Sequence, residues 1–209
     1  MRISSLKLTT IAIAVLAMLA MAPMASAGST SFSLTANNLG IVGTIGTVSI
    51  VDTGVDQVTV TITMNAGFSV KLNGGQIAFN GPSGLTAGSV SGLTADANSG
   101  LSFKGFKTTQ NVSAFGTFAF DYTNVQGQPG GVVSADVVTF VLTSPGLLAS
   151  QFTNVVLHFC TASGSNCGPL TGFTSTGTSP PAVPEPGTLG LLGTGLVGLA
   201  GLLRRRVTS

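Results

Sequence analysis

The chain has no tryptophan, one tyrosine (Tyr122), one histidine (His158), one glutamate (Glu185) and two cysteines, and only 7% of its 209 residues are charged. Each scarcity excludes something. Between residues 28 and 183 the cations are Lys71, Lys104 and Lys107, set against Asp52, Asp56, Asp96, Asp121 and Asp136, so three minus five leaves a net charge of about −2. That is not the basic footprint of a nucleic-acid-binding protein. A Ser-His-Asp relay would have to use His158, and no G-x-S-x-G elbow accompanies it. Without glutamate, the same stretch offers only scattered aspartates for the two carboxylates that glycoside hydrolysis needs. The expectation is a non-enzymatic protein with no cofactor and no bound metal. A surface this poor in charge stays soluble through hydroxyls and amides, and has little to oppose edge-to-edge strand pairing.

Glycine, serine, threonine and β-branched residues take the place of charge. Val58-Thr59-Val60-Thr61-Ile62-Thr63-Met64 alternates apolar and polar residues, which predicts a strand with one buried face. Similar runs lie at 31–35, 47–51, 68–72, 76–79, 101–103, 117–122, 137–142 and 154–159. Turn formers such as Asn73-Gly74-Gly75 and Asn80-Gly81-Pro82 separate them. Short strands at such intervals, without an amphipathic helix, predict an all-β domain over 28–173. An antiparallel β-sandwich is the first reading, with a jelly roll or barrel as alternatives. The Gly- and Ser-rich stretch 81–100 reads as a loop, and 174–183, rich in Ser, Thr, Gly and Pro, as an extended linker.

Few residues carry chemistry. Cys160 and Cys167 enclose a flexible Ser- and Gly-containing loop. In an exported segment they predict a disulfide worth about 2–3 kcal/mol. Zinc normally wants three or four protein ligands, and only His158 stands near the two cysteines. Asp96-Ala97-Asn98-Ser99-Gly100 matches the opening of a calcium loop but lacks the closing glutamate, so a plain turn is the simpler reading. Phe118, Phe120 and Tyr122 alternate on one strand face, where core packing competes with stacking on a sugar ring. Lys104 and Lys107, beside Phe103 and Phe106, read as solvated before they read as contacts for an anionic polysaccharide. Asn111-Val112-Ser113 fits the glycosylation triplet. The row Thr59, Thr61, Thr63 is too short on its own to argue for an ice-binding face.

The two ends carry an address. Arg2 and Lys7 precede an apolar stretch from Ile11 to Ala22, a breaker at Pro23 and the small-residue site Ala25-Ser26-Ala27. This is the layout of a signal peptide over 1–27, cut after Ala27 by signal peptidase. At the other end, Pro184-Glu185-Pro186-Gly187 is followed by an uncharged run over 188–203 and by Arg204-Arg205-Arg206. As a helix that run would extend about 24 Å, a little short of a bilayer core, with the arginines snorkelling to make up the difference. Its glycines make it a poor helix in water and an acceptable one in lipid, so a single transmembrane helix is expected. Gly193-Thr194-Gly195-Leu196-Val197-Gly198 fits G-x-G-x-x-G by letter, but no strand precedes it.

Proline-glutamate-proline, hydrophobic helix and arginine cluster, in that order over 184–209, resemble the PEP-CTERM sorting signal of Gram-negative bacteria. The resemblance implies an exosortase-like enzyme that cuts near Pro184, Glu185 and Pro186. It implies a transient stay in the inner membrane, with Arg204, Arg205 and Arg206 fixing the topology, and delivery to the cell surface or extracellular matrix. There the expected role is structural or adhesive, with a polysaccharide-binding module as the alternative and an exported hydrolase behind it.

Overall fold

A computed structural model of the chain describes residues 27–96, 98–127, 134–163 and 166–177. Its strands follow from two-residue alternation. In the segment Gln57–Met64, Val58, Val60, Ile62 and Met64 are buried, while the intervening threonines are half-buried or exposed. In chain order the strands are β1 (Ser29–Leu34), β2 (Ala36–Asn37), β3 (Gly46–Gly54), β4 (Gln57–Met64), β5 (Phe68–Lys71), β6 (Gln76–Asn80), β7 (Val90–Ala95), β8 (Asn98–Asn111), β9 (Thr117–Gln126), β10 (Ser134–Ala135), β11 (Val137–Thr143), β12 (Asn154–Ser163) and β13 (Asn166–Ser175).

All pairings are antiparallel, and they build two layers. The first has the order β1-β3-β4-β11-β7, and the second β9-β6-β12-β13-β2. Strand β5 lies on β12 beyond the end of β6, and β10 lies on β5. The long strand β8 joins the layers: Asn98 and Leu101 pair with β7, and Ser102 to Asn111 pair with β9. On the opposite side the chain itself crosses from the first layer to the second between β1 and β2, passing through Thr35.

The core fills the space between the layers. Val48, Ile50, Val58, Val60, Ile62, Phe140 and Leu142 come from the first, and Ile77, Phe79, Tyr122, Val155, Leu157 and Phe159 from the second. Phe79 sits at its centre, with edge-on ring contacts to Tyr122, Phe140 and Phe152 at centroid distances of 6.5, 6.2 and 5.6 Å. Such pairs add about 0.5–1.5 kcal/mol beyond the area they bury.

Three expectations are revised. The stretch 81–100 is not only a loop, because β7 lies in it and buries Leu93 and Ala95 against β11 and β8. Strand β8 runs far beyond the expected 101–103, because it serves both layers in turn. The linker begins later than residue 174: Thr174 and Ser175 are buried at the end of β13, and the Thr174 hydroxyl donates to the Ala36 carbonyl at 2.9 Å. The expected transmembrane helix over 188–203 and the signal peptide before Ala27 lie outside the described residues. Among the described residues no helix is long and apolar enough to cross a membrane.

Candidate functional site

The five aspartates of the domain are all engaged by the domain's own chain. Asp52 Oδ1 accepts the Ala149 N–H at 2.6 Å, and Asp56 Oδ1 accepts the Gly146 N–H at 2.8 Å, so both hold the segment after β11. Asp136 Oδ1 accepts the Ser69 hydroxyl at 2.7 Å. Asp96 Oδ1 accepts the N–H groups of Asp136 and Val137 at 3.0 and 2.8 Å. Asp96 takes a left-handed φ of 49°, its carboxylate faces the start of β11, and Asn98 to Gly100 already belong to β8. Among the described residues no group of three or more His, Cys, Asp or Glu is placed to hold a metal.

Asp121 is the odd member. It lies on β9, pointing away from the main core, between Ala78 of β6 and Lys107 of β8 in register. It is buried, Oδ2 accepts from Gln76 Nε2 at 2.9 Å, and Oδ1 has no hydrogen-bond partner. Burial pushes its carboxyl up to about 6, against the opposing effects of Gln76 and Lys107. On the same face His158 of β12 is half-buried and stacks on Phe173 of β13, with ring centroids 4.5 Å apart and planes inclined by 20°. Burial lowers its basicity, Lys71 lowers it further, and a hydrogen bond with the Gly74 backbone works the other way. Among the described residues no carboxylate is hydrogen-bonded to the imidazole, whose ring lies against Phe173.

The aromatic row does not form an open platform. Tyr122 is 1% exposed and its hydroxyl donates to the Thr86 carbonyl at 3.0 Å, while Phe120 joins it in the main core. Phe118 parts company with them. It packs with Ala78, Val112 and Val156 in a second cluster, to which Phe115 and Phe173 add. The divide falls at Ala119, whose N–H goes to Asn80 Oδ1 at 2.8 Å, opposite Thr109 with its left-handed φ of 57°. Lys104 and Lys107 are exposed, whereas Phe103 and Phe106 turn inward onto Tyr122 at 5.4 and 5.0 Å. Asn111 is exposed at the end of β8. Cys160 and Cys167 form a disulfide between β12 and β13.

The most regular surface was not legible from any single strand. Register aligns Ser31, Ser49, Thr61, Thr139 and Thr94 across β1, β3, β4, β11 and β7. A neighbouring row runs Ser29, Val51, Thr59, Val141, Ser91, and a third runs Ser33, Thr47, Thr63, Val137. The outer face of the first layer is thus an uncharged lattice of hydroxyls and methyls, with one register shift between β11 and β7. Its repeats are about 4.8 Å across strands and about 6.8 Å along them. The Thr59, Thr61, Thr63 row is one column of it, and the other columns come from strands distant in sequence.

Of the sorting residues, Ala27 is exposed just before β1, while Ala25, Pro184, Glu185, Pro186, Arg204, Arg205 and Arg206 lie outside the described residues. What fold and termini define together is an all-β domain attached to a C-terminal address. Comparison with family models identifies that address: residues 182–206 match the PEP-CTERM protein-sorting motif. The chain carries that motif, which supports an exported protein processed at the membrane by an exosortase. No curated protein and no solved structure is detectably similar to the chain.

Proposed function

We propose that this chain is a non-enzymatic structural or adhesive protein, released from a transient inner-membrane stage to the cell surface or an exopolysaccharide matrix. The observation that carries the reading is the employment of the domain's carboxylates. Each accepts a hydrogen bond from a segment at least 40 residues away in sequence, so the acids act as fasteners of loops and strands. A domain built this way, with one stacked histidine, suits a load-bearing or spacing role better than acid–base chemistry. In the native host, loss of the chain is expected to weaken surface attachment or matrix cohesion. A variant carrying both His158→Ala and Asp121→Asn should restore it in full, and failure of a folded double variant to do so would bring catalysis back.

A second reading, binding of a neutral polysaccharide, draws on the hydroxyl lattice of the first layer now that the aromatic row is buried. Sugar hydroxyls exchange hydrogen bonds with serine and threonine without needing charge. Calorimetric titration with neutral glucans is the test. Binding that disappears in Thr61→Lys and Thr139→Lys supports the reading, and the absence of heat with the unaltered protein removes it.

A further inference from the structure

Among the described residues the two layers are joined by β8 on one side and by the passage from β1 to β2 on the other. Strand β13 is covered over its second half. β2 and Asn38 take its end, the Cβ position of Gly172 lies against Leu39, and Pro169 interrupts its first half. Strand β10 has two residues. Beyond Leu101, β8 pairs among the described residues with β9 alone, but that edge carries Lys104, Lys107 and the left-handed Thr109. Strand β1 is the undefended edge: it pairs on one side with β3 and, among the described residues, with no strand on the other.

The direction of its free groups follows from the ladder. The Asp52 N–H donates to the Gly28 carbonyl, so Gly28 and Asp52 form a hydrogen-bonded pair. Antiparallel pairs alternate, hence Thr30, Phe32 and Leu34 bond to β3, while the N–H and C=O groups of Ser29, Ser31 and Ser33 point outward. Natural edges of this kind are defended by lysine, proline, a bulge or an inward charge. None is present here: residues 29–34 are Ser-Thr-Ser-Phe-Ser-Leu, and the register with β3 runs unbroken over all six.

We infer that β1 is an association edge, and that its partner is β1 of a second copy of this chain, added antiparallel about a two-fold axis at Ser31. The strand is complementary to itself. In that register Ser29 faces Ser33 of the partner subunit, Thr30 faces Phe32 of the partner subunit, and the serine at the axis faces its own copy. A two-fold axis sets like against like, which only a neutral strand tolerates. Phe32 is half-buried against the core, and an added strand covers more of its ring. The hydroxyl lattice would then continue from one copy into the next across the joined layer.

The full-length chain in mild detergent, examined by light scattering after size exclusion, tests the pairing. The unaltered protein and Ser31→Thr are expected to be dimeric at micromolar concentration. Ser31→Pro deletes an N–H that points away from β3, so it should yield a monomer with unchanged circular dichroism. Ser31→Lys, which keeps the N–H but sets two ammonium groups face to face, should weaken the dimer about tenfold and recover it at high salt. Salt recovery separates repulsion at the axis from a folding defect. A monomeric unaltered chain would overturn the inference and leave the edge to the chain's own residues beyond 177, and so would a Ser31→Pro variant that dimerises as the unaltered chain does.

Discussion

Asp121 shows how much one buried group decides. Its carboxyl titrates near 6 in the folded chain against an ordinary value of 3.8, so the folded state holds a proton that the unfolded state gives up. The sign follows: the contribution of Asp121 to stability is full below about pH 4 and is lost as pH rises through about 6. His158 acts in the opposite sense. Its basicity is lowered by folding, so it costs stability as pH falls below 6.5. Asp121→Asn should remove the first dependence alone, raising the melting temperature at pH 7 and leaving it little changed at pH 4. A melting curve that responds equally at both pH values would contradict the assignment. Asp96 fastens the start of β11. Asp96→Ala leaves the N–H groups of Asp136 and Val137 unpaired and should cost about 1–3 kcal/mol, whereas chelator should not alter the melting temperature of the unaltered protein. Sequence pattern showed the Asp96 turn but not its partners, because these hydrogen bonds join segments far apart in the chain.

Strands β12 and β13 form a hairpin across the Cys160–Cys167 bond, and the last residues of β13 tie down β2. Reduction, or replacement of both cysteines by serine, should cost about 2–3 kcal/mol. For a domain of this size the melting temperature would fall by roughly 5–10 °C. Tyr122 links β9 to the segment before β7 through its hydroxyl. Tyr122→Phe should cost about 1 kcal/mol, whereas Phe79→Ala, at the centre of the ring cluster, should cost about 3–5 kcal/mol. Strands with strict alternation, β4 and β11 above all, were legible in the sequence because one face is apolar and the other hydroxylic. Strand β13 was not, since Gly168, Pro169 and Gly172 give it the composition of a loop and its pairing with β12 supplies what propensity lacks. Strand β7 was hidden for the same reason, with only Leu93 and Ala95 to mark its buried side. The expectation that Phe118 shares a face with Phe120 and Tyr122 fails at Ala119, where the N–H goes to Asn80 Oδ1 and Phe118 turns into the second cluster.

Taken whole, the molecule is a low-charge double-layered domain followed by a PEP-CTERM sorting motif over residues 182–206. The sorting tail was readable from order alone, because Pro-Glu-Pro, apolar run and arginines need no tertiary context, and the match over residues 182–206 agrees. The hydroxyl lattice was not, because it exists only once five strands are in register. Replacing Arg204, Arg205 and Arg206 with neutral residues should impair retention and processing, read as unprocessed chain in a fractionation of the host. The most direct measurement is the intact mass and cell fraction of the native chain in its host, with and without the exosortase. The account predicts a species lacking both terminal signals, found outside the inner membrane only when the enzyme is present. An uncut C-terminus held in the inner membrane in both strains would contradict it.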